Sequence, residues 1–494
     1  MIIGCDLSYR MPGMSDSQPP EIHEVVRMLV DVGSLKSFDV QYSERSFWLG
    51  RRGYEPRPAL QGDLDTDIVI VGAGFTGLWT AILLKEEDPA LNVLVLEAQV
   101  AGYGATGRNA GFGMTTVGRS LKYLLKSVGQ ERTRATYLAM VDTLREIGSF
   151  AKIEGIDADI WYSGNLAVSS APVQDHRVET DWKASQQLGL GDFELLDEMQ
   201  VRDRIVGHGL RMGVYEPHCL ILDPAALVRG LRDAAVRRGV LVFEQSPVES
   251  FESLDGGRIS ARTPAGTVRA ERGLVATNAY AHSIPELFRY IFTIYAYALA
   301  TAPLNDQQLA TVGWRSKCGV EDRRLVVHGY RLTADRRIIW CGRDAPFKPD
   351  GPSREFDQDE RIFERLKESF RWTFPQLASL GFDAAWGGPI CGTIDCIATV
   401  RWLEKERLLY ALGYAGHGVG PSRLVAKVAR DLLLGRSSDL LELPFFAKKP
   451  VALPSDKALK RFGLAMAQRV IQKVDDDLQG EQGLAKRWIA RLFE

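Results

Sequence analysis

Cysteine and histidine are scarce in this chain, with six and seven among 494 residues. Cys5, Cys219, Cys318, Cys341, Cys391 and Cys396 are too few and too scattered for a disulfide framework. That usage suits a reducing compartment, with a cytoplasmic location as the default. Cys391 and Cys396 lack further ligands at a useful spacing and the histidines are unclustered, so no metal site is expected. Charge of one sign is also lacking: 61 basic residues against 63 acidic ones leave a formal charge of −2. No global field would recruit nucleic acid. The longest uncharged apolar stretch, Tyr290 to Leu304, contains Pro303 and falls short of the roughly 20 residues that span a bilayer, so no transmembrane segment is expected. The opening residues show no basic start followed by an apolar core, so no signal peptide is expected either. What remains is a chain long enough for two or three domains.

What is present centres on Ile68 to Glu97. Ile68-Val69-Ile70-Val71 reads as a strand buried on both faces. Gly72, Gly74 and Gly77 follow at G-x-G-x-x-G spacing: a tight turn, a close backbone approach to a pyrophosphate, and close packing of the next helix. Leu78, Ala81 and Ile82 fit that helix, whose first amides would point at phosphate. A second apolar run, Val93 to Leu96, ends in Glu97, twenty residues beyond Gly77, where a carboxylate can hold ribose hydroxyls. Gln99 and Val100 follow without an arginine, so a 2′-phosphate is not expected. Strand, glycines, helix, strand and acid together point to an adenine dinucleotide.

Two more glycine-rich stretches are informative. Gly102 to Gly113 (GYGATGRNAGFG) sets Thr106, Arg108 and Asn109 among glycines, the pattern of backbone passing close to a ligand. Gly413 to Gly420 (GYAGHGVG) lies between the apolar run Leu408–Leu412 and a helical pattern from Leu424 to Leu434. A second set of helix-terminal amides is thereby placed beside a cofactor. Between them, Asp223-Pro224 opens a helix, and strands over Val240–Phe243, Arg258–Thr263, Thr267–Ala270 and Gly273–Ala276 continue a parallel sheet. Ser120 to Glu154 reads as a long helix closed by Gly155. Ile291–Thr301 and a hairpin of Leu325–Thr333 with Arg337–Gly342 suggest a second, antiparallel sheet. Met11–Pro20 reads as disordered and Glu21–Val32 as a short helix. Leu459, Phe462, Met466, Val470 and Val474 mark one face of a basic amphipathic tail helix, repeated more briefly over Leu484–Leu492. That face would pack on the protein itself, on a partner subunit or on a membrane surface.

These motifs, with the ILDPAALVRGL helix, the LVATNAY turn and WGGPICGTID, resemble the FAD-dependent D-amino-acid/glycine/sarcosine oxidase superfamily, and most of all its γ-glutamylputrescine oxidase-like branch. The resemblance runs from about Ser46 to Pro454. It implies an α/β fold: a Rossmann-type FAD-binding domain interleaved with an antiparallel-sheet α+β substrate domain. The expected division is an N-terminal extension over 1–45, the FAD-binding domain over 46–119, 210–285 and 381–440, the substrate domain over 120–209 and 286–380, and a helical tail over 441–494.

The resemblance also implies site residues. Gly72, Ala73, Gly74, Phe75, Thr76, Gly77, Glu97 and Ala98 would hold the ADP half of FAD. Gly104, Ala105, Thr106, Arg108, Asn109, Ala110 and Gly111 would run along the pyrophosphate and flavin. Val248, Thr277 and Asn278 would close the adenine pocket, and Asp395 of the T-x-D motif is a further cofactor-binding candidate. Gly413, Gly416, His417, Gly418 and Val419 would lie at the pyrimidine end of the flavin. Asp395 lacks the proline that usually follows the family's T-x-D motif. Cys391 stands off the position used for flavin attachment, and the GATGRNAG loop has no histidine. Non-covalent FAD is therefore expected.

The implied reaction is oxidation of a primary or secondary amine: hydride transfer to flavin N5, hydrolysis of the imine, and reoxidation by O2 to give H2O2. His417 is the candidate catalytic residue. Tyr295, Tyr330, Trp340 and Trp386, with Tyr297, are candidates for an aromatic substrate wall, and Arg331 or Arg343 for a carboxylate contact, with surface pairing as the alternative. Two other outcomes stay open: a dehydrogenase of the same fold that passes electrons to a quinone or protein, and a non-catalytic flavoprotein subunit.

Overall fold

The computed structural model describes residues 46–404, 407–444 and 450–476. The expected N-terminal extension over 1–45 and the segment Leu484–Leu492 lie outside the described residues.

The apolar run at Ile68–Val71 is the buried end of the strand Leu64–Val71, inside an eight-stranded sheet. It runs parallel to Val93–Leu96 on one side and Gly266–Val275 on the other. Leu241–Phe243 and Leu408–Leu412 extend the parallel order outward. The two short strands expected over Thr267–Ala270 and Gly273–Ala276 are one continuous strand. Its first half also pairs antiparallel with Ile259–Thr263, so two neighbours hold it straight through Arg272. Helices Phe75–Glu87, Pro224–Arg237 and Pro421–Leu433 cover the sheet and share one apolar core. Asp223 caps the second of these by accepting from the Ala226 amide, as the Asp-Pro signal indicates.

A nine-stranded sheet forms the second layer, and Phe292–Thr301 pairs antiparallel with Phe382–Gly392 along nearly its whole length. The sheet is mixed, since Asn165–Val168 lies parallel to Gly319–Asp322. Its residues alternate strictly. Tyr295, Tyr297, Leu299, Val320, Tyr330 and Trp340 bury against Phe363, Leu366 and Phe370 of the helix Glu360–Thr373. Ala296, Ala298, Ala300, Gly319, Glu321, Gly329 and Cys341 occupy the opposite face, as the period of two requires.

Three expected boundaries move. Phe382–Gly392 and Gly213–Glu216 belong to the second sheet, because their pairing partners lie there. The helix Leu121–Ile153 is not simply part of a substrate domain. Leu124, Met140, Leu144, Ile147 and Phe150 bury in the core of the first layer, whereas Tyr137 and Val141 pack with Ala167 and Val214 of the second. The interleaving is thus finer than the sequence pattern suggests.

The tail helix Lys457–Asp476 docks opposite to expectation. Lys460, Leu464, Ile471 and Asp475 are buried, while Leu459, Phe462 and Met466 are 56%, 65% and 43% exposed. Polar anchors explain the reversal. Lys460 Nζ donates to the carbonyls of Phe288 and Ile291 at 2.7 and 2.9 Å and lies over the Phe288 ring. At the other end the Asp475 carboxylate accepts from the amides of Leu325 and Val326. Among the described residues no helix is long and apolar enough to cross a membrane.

Candidate active site

Two helix N-termini converge on one cavity between the layers. The first belongs to Phe75–Glu87, which starts at Gly74, a residue with no side chain to cap it, and whose Phe75 amide donates to Thr106 Oγ1 at 3.3 Å. Its glycines are required by geometry. Gly72 has φ +108°, and a Cβ on Gly77 would lie 2.0 Å from the Gly72 carbonyl oxygen. The second belongs to Pro421–Leu433, also without a side-chain cap at Gly420.

Of the expected cofactor residues, Gly74, Phe75, Thr76, Ala105, Thr106, Arg108, Asn109, Asn278, Gly416, Gly418 and Val419 line this cavity. Glu97 stands beside it: its carboxylate accepts from the amides of Ala73 and Gln99 at 2.8 and 3.0 Å. Burial pushes the Glu97 carboxyl up to about 7, against the pull of those amides. Gly72, Ala73 and Gly77 shape the turn behind the lining, and Val248 packs into the apolar cluster of the outer strands. Asp395 is spent locally: Thr393 Oγ1 donates to it at 2.7 Å, and it does not line the cavity.

Gly104, Ala110, Thr277 and Gly413 lie next to lining residues, and Gly111 donates to Asn109 Oδ1 at 2.8 Å, without lining the cavity themselves; Ala98, behind Glu97, does not line it either. Gly111, with φ +80°, is forced by crowding, since a Cβ there would lie 2.0 Å from the Leu222 carbonyl oxygen.

The glycine-rich loop 102–113 is fastened to the second sheet by side chains. Arg108 is buried, forms an ion pair with Asp357 at 2.8 Å, and donates to the carbonyls of Tyr103 and Gly387. Burial opposes its charge, but Tyr280 and Asp357 more than offset this and raise its pKa. Trp386 Nε1 donates to the Arg108 carbonyl at 2.8 Å. Arg331 donates to the carbonyls of Ala110 and Leu222, both at 2.6 Å, and burial lowers its pKa to about 10. Arg331 is therefore a clamp on backbone. Arg343 pairs with Asp344 and Asp476 on the surface side. Neither arginine fulfils the carboxylate contact considered from the sequence.

The aromatic wall is corrected in the same way. Tyr295, Tyr330 and Trp340 are core residues on the face that packs against helix Glu360–Thr373, and Trp386 packs with Trp48, Ala298 and Ile339. None lines the cavity. The alternation was legible, but the face toward the cavity is the small one: Ala296, Gly388 and Ile390 line it, and a Cβ on Gly388 would lie 2.9 Å from Arg108 Cδ. Sequence reasoning missed these three, together with Ala276, Tyr414 and Ser422. The small residues between the aromatics were the available signal.

His417 is half-buried in the loop between Gly416 and Gly418. Its Nδ1 is buried with no hydrogen-bond partner. Burial holds its pKa below the ordinary value, partly countered by the charge of Glu321. Asn278 Oδ1, on the cavity wall, is likewise buried without a donor. Unmatched polar atoms beside two helix N-termini are what a dinucleotide with a polar ring system would satisfy. The residues present fit FAD.

Comparison with known proteins agrees with this geometry. The sequence model of the family described as FAD dependent oxidoreductase (DAO) matches residues 67–432. The chain is 28% identical over 384 residues to the γ-glutamylputrescine oxidoreductase of Escherichia coli, covering 77% of this chain and 87% of that protein. It is 26% identical over 407 residues to the probable oxidoreductase OrdL of Haemophilus influenzae, covering 81% and 90%. Among solved structures, glycine oxidase from Geobacillus kaustophilus superimposes with a TM-score of 0.62 at 18% identity, over 78% of this chain and all of that one. L-amino acid deaminase from Proteus vulgaris gives 0.63 at 16% identity, over 80% of this chain and all of that one. These structural likenesses establish the fold.

Proposed function

The chain belongs to the DAO family of FAD-dependent oxidoreductases, and on that premise we propose that it oxidises a primary or secondary amine. The net reaction takes the amine, O2 and water to a carbonyl compound, the released amine or ammonia, and H2O2. The observation that carries this reading is the convergence of two helix N-termini and the unmatched Asn278 Oδ1 on one cavity. Bound FAD would supply the two-electron acceptor for the carbon–hydrogen bond next to nitrogen.

The protein supplies positioning and electrostatics. Phe75–Glu87 and Glu97 would hold the ADP half. The N-terminus of Pro421–Leu433 would stabilise negative charge at the far end of the cofactor. His417, whose pKa burial lowers, offers an unpartnered Nδ1 that can accept a hydrogen bond, although it stands behind the cavity lining rather than in it. Cys391 is fully buried, and burial pushes its thiol up to about 12, so no thiolate stands ready for flavin attachment. This supports non-covalent FAD.

The test is anaerobic mixing of the yellow protein with a panel of γ-glutamylputrescine, putrescine, sarcosine, glycine and D-amino acids, followed by air. Bleaching by an amine and rapid return of colour with peroxide is the expected result. Bleaching that air reverses only slowly would replace the oxidase reading with a dehydrogenase. Turnover unchanged in His417→Ala would remove the catalytic assignment, and colour retained in acid-precipitated protein would overturn non-covalent binding.

A further inference from the structure

The tail helix Lys457–Asp476 is held to the protein by its inner face. Leu464 and Ile471 are buried there, and Lys460 and Asp475 anchor its two ends. Between the anchors, Gln468 Oε1 accepts from the Phe347 amide at 3.1 Å. These contacts leave Leu459, Phe462 and Met466 outside, at spacings of three and four that set them on one line of the helix. Val451, in the lead-in to the helix, is exposed as well. Single apolar side chains on a surface are ordinary. Three large ones in a row, on the face that does not hold the helix down, mark a surface that meets something else.

Charge identifies the partner. Arg469 and Lys473 continue the same line, three and seven residues beyond Met466, and Arg461 stands at its edge; all three are exposed. No acid precedes Asp475 in this helix. Asp475 is turned inward onto the amides of Leu325 and Val326, and Asp476 pairs with Arg343. Asp350, from the body of the protein, pairs with Arg461. The outward line is therefore apolar over its first half and basic over its second.

A self-complementary contact with a second copy would set this line against one that offers no acid of its own. An anionic bilayer matches both halves. Apolar side chains enter the acyl boundary, while the longer basic ones reach headgroup phosphates. The sequence that follows repeats the composition, with Lys486, Arg487 and Arg491 among Leu484, Trp488 and Ile489. Among the described residues no helix is long and apolar enough to cross a membrane, so the contact is with the bilayer surface.

We propose that Leu459, Phe462 and Met466, with Arg469 and Lys473, form a docking face for membranes that contain anionic lipid. The proposal is independent of the reaction assigned above. None of these residues lines the cofactor cavity, so the docked protein keeps its FAD site as it is.

The experiment is flotation of the full-length, FAD-loaded protein with two kinds of vesicle: phosphatidylcholine alone, and phosphatidylcholine mixed with phosphatidylglycerol. The expected result is binding to the anionic vesicles, and binding weaker by roughly tenfold or more to the neutral ones. Phe462→Glu combined with Met466→Glu should abolish binding, and Arg469→Glu should weaken it by roughly tenfold, with flavin content and amine turnover in solution unchanged. Should the double variant misfold, Arg469→Glu, which removes no apolar side chain, still decides. A wild type that ignores anionic vesicles, equal binding to both kinds, or binding that survives the substitutions would overturn the proposal. A dimer that Phe462→Glu dissociates, with no binding to vesicles, would overturn it in favour of a second copy.

Discussion

In the proposed cofactor site, Glu97 is the residue whose ionisation matters most directly. In the proposed cofactor role its carboxylate would be charged to accept two ribose hydroxyls, yet burial raises its pKa to about 7 from the ordinary carboxyl value of about 4.5. Because the folded value lies above the unfolded one, the native apoprotein binds more protons between those limits. Its stability therefore falls as pH rises from about 4.5 to 7. FAD binding should run the other way: affinity of the apoprotein weakens as pH drops from 8 to 6, and Glu97→Gln flattens that slope. Fluorescence titration of FAD at several pH values measures it, and a slope unchanged in the variant would contradict the assignment.

Single residues also show what was legible. Gly72, Gly77 and Gly111 could be read as obligatory because positive φ and close backbone approach leave no room for a Cβ. Tyr330 and Trp340 could not be placed, because alternation separates two faces of a strand without saying which neighbour each face meets. The partner of a face is a tertiary fact. Here helix Glu360–Thr373 takes the large side chains and the cofactor side takes Ala296 and Gly388.

Among elements, the tail helix shows how a polar residue can reverse a helical pattern. Counting Lys460 as solvent-facing put Leu459, Phe462 and Met466 against the protein, whereas two carbonyls and the Phe288 ring accept the Lys460 ammonium. Burial lowers Lys460 to about 8 and raises Asp475 to about 6. With its folded value depressed, Lys460 strengthens docking as pH rises above about 8. With its folded value raised, Asp475 weakens docking as pH rises toward about 6. Both groups are buried in charged form between these values. Hydrogen exchange across 457–476, corrected for intrinsic rates, should show its lowest protection between about pH 6 and 8; a monotonic trend would refute this. Helices such as Leu121–Ile153 and Pro224–Arg237 were legible because Ser120 and Asp223 mark their starts by a purely local hydrogen bond.

Across the whole molecule, the two sheets are joined through the cofactor loop. Arg331→Lys should show how much that joint contributes. A lysine cannot serve both the Ala110 and Leu222 carbonyls in the same geometry, and each buried acceptor left unmatched costs about 1–3 kcal/mol. We expect a lower melting temperature together with weaker FAD retention. A melting temperature that falls without loss of FAD would separate the clamp from the cofactor site. The division into two layers was visible in the sequence, but the strands at its seams were not. Gly213–Glu216 and Phe382–Gly392 lie in chain segments that otherwise serve the first sheet, and only long-range pairing assigns them to the second.

The three fastenings of that loop, Arg108 to Asp357, Trp386 to the Arg108 carbonyl, and Arg331 to the Ala110 carbonyl, have a mechanical consequence. They lock the two halves of the protein like rivets on both sides of one seam. A clamshell motion that admits substrate by swinging the halves apart would have to break all three together. Substrate entry should therefore need no large swing of the two halves, and solvent friction should act on the diffusing molecule rather than on the protein.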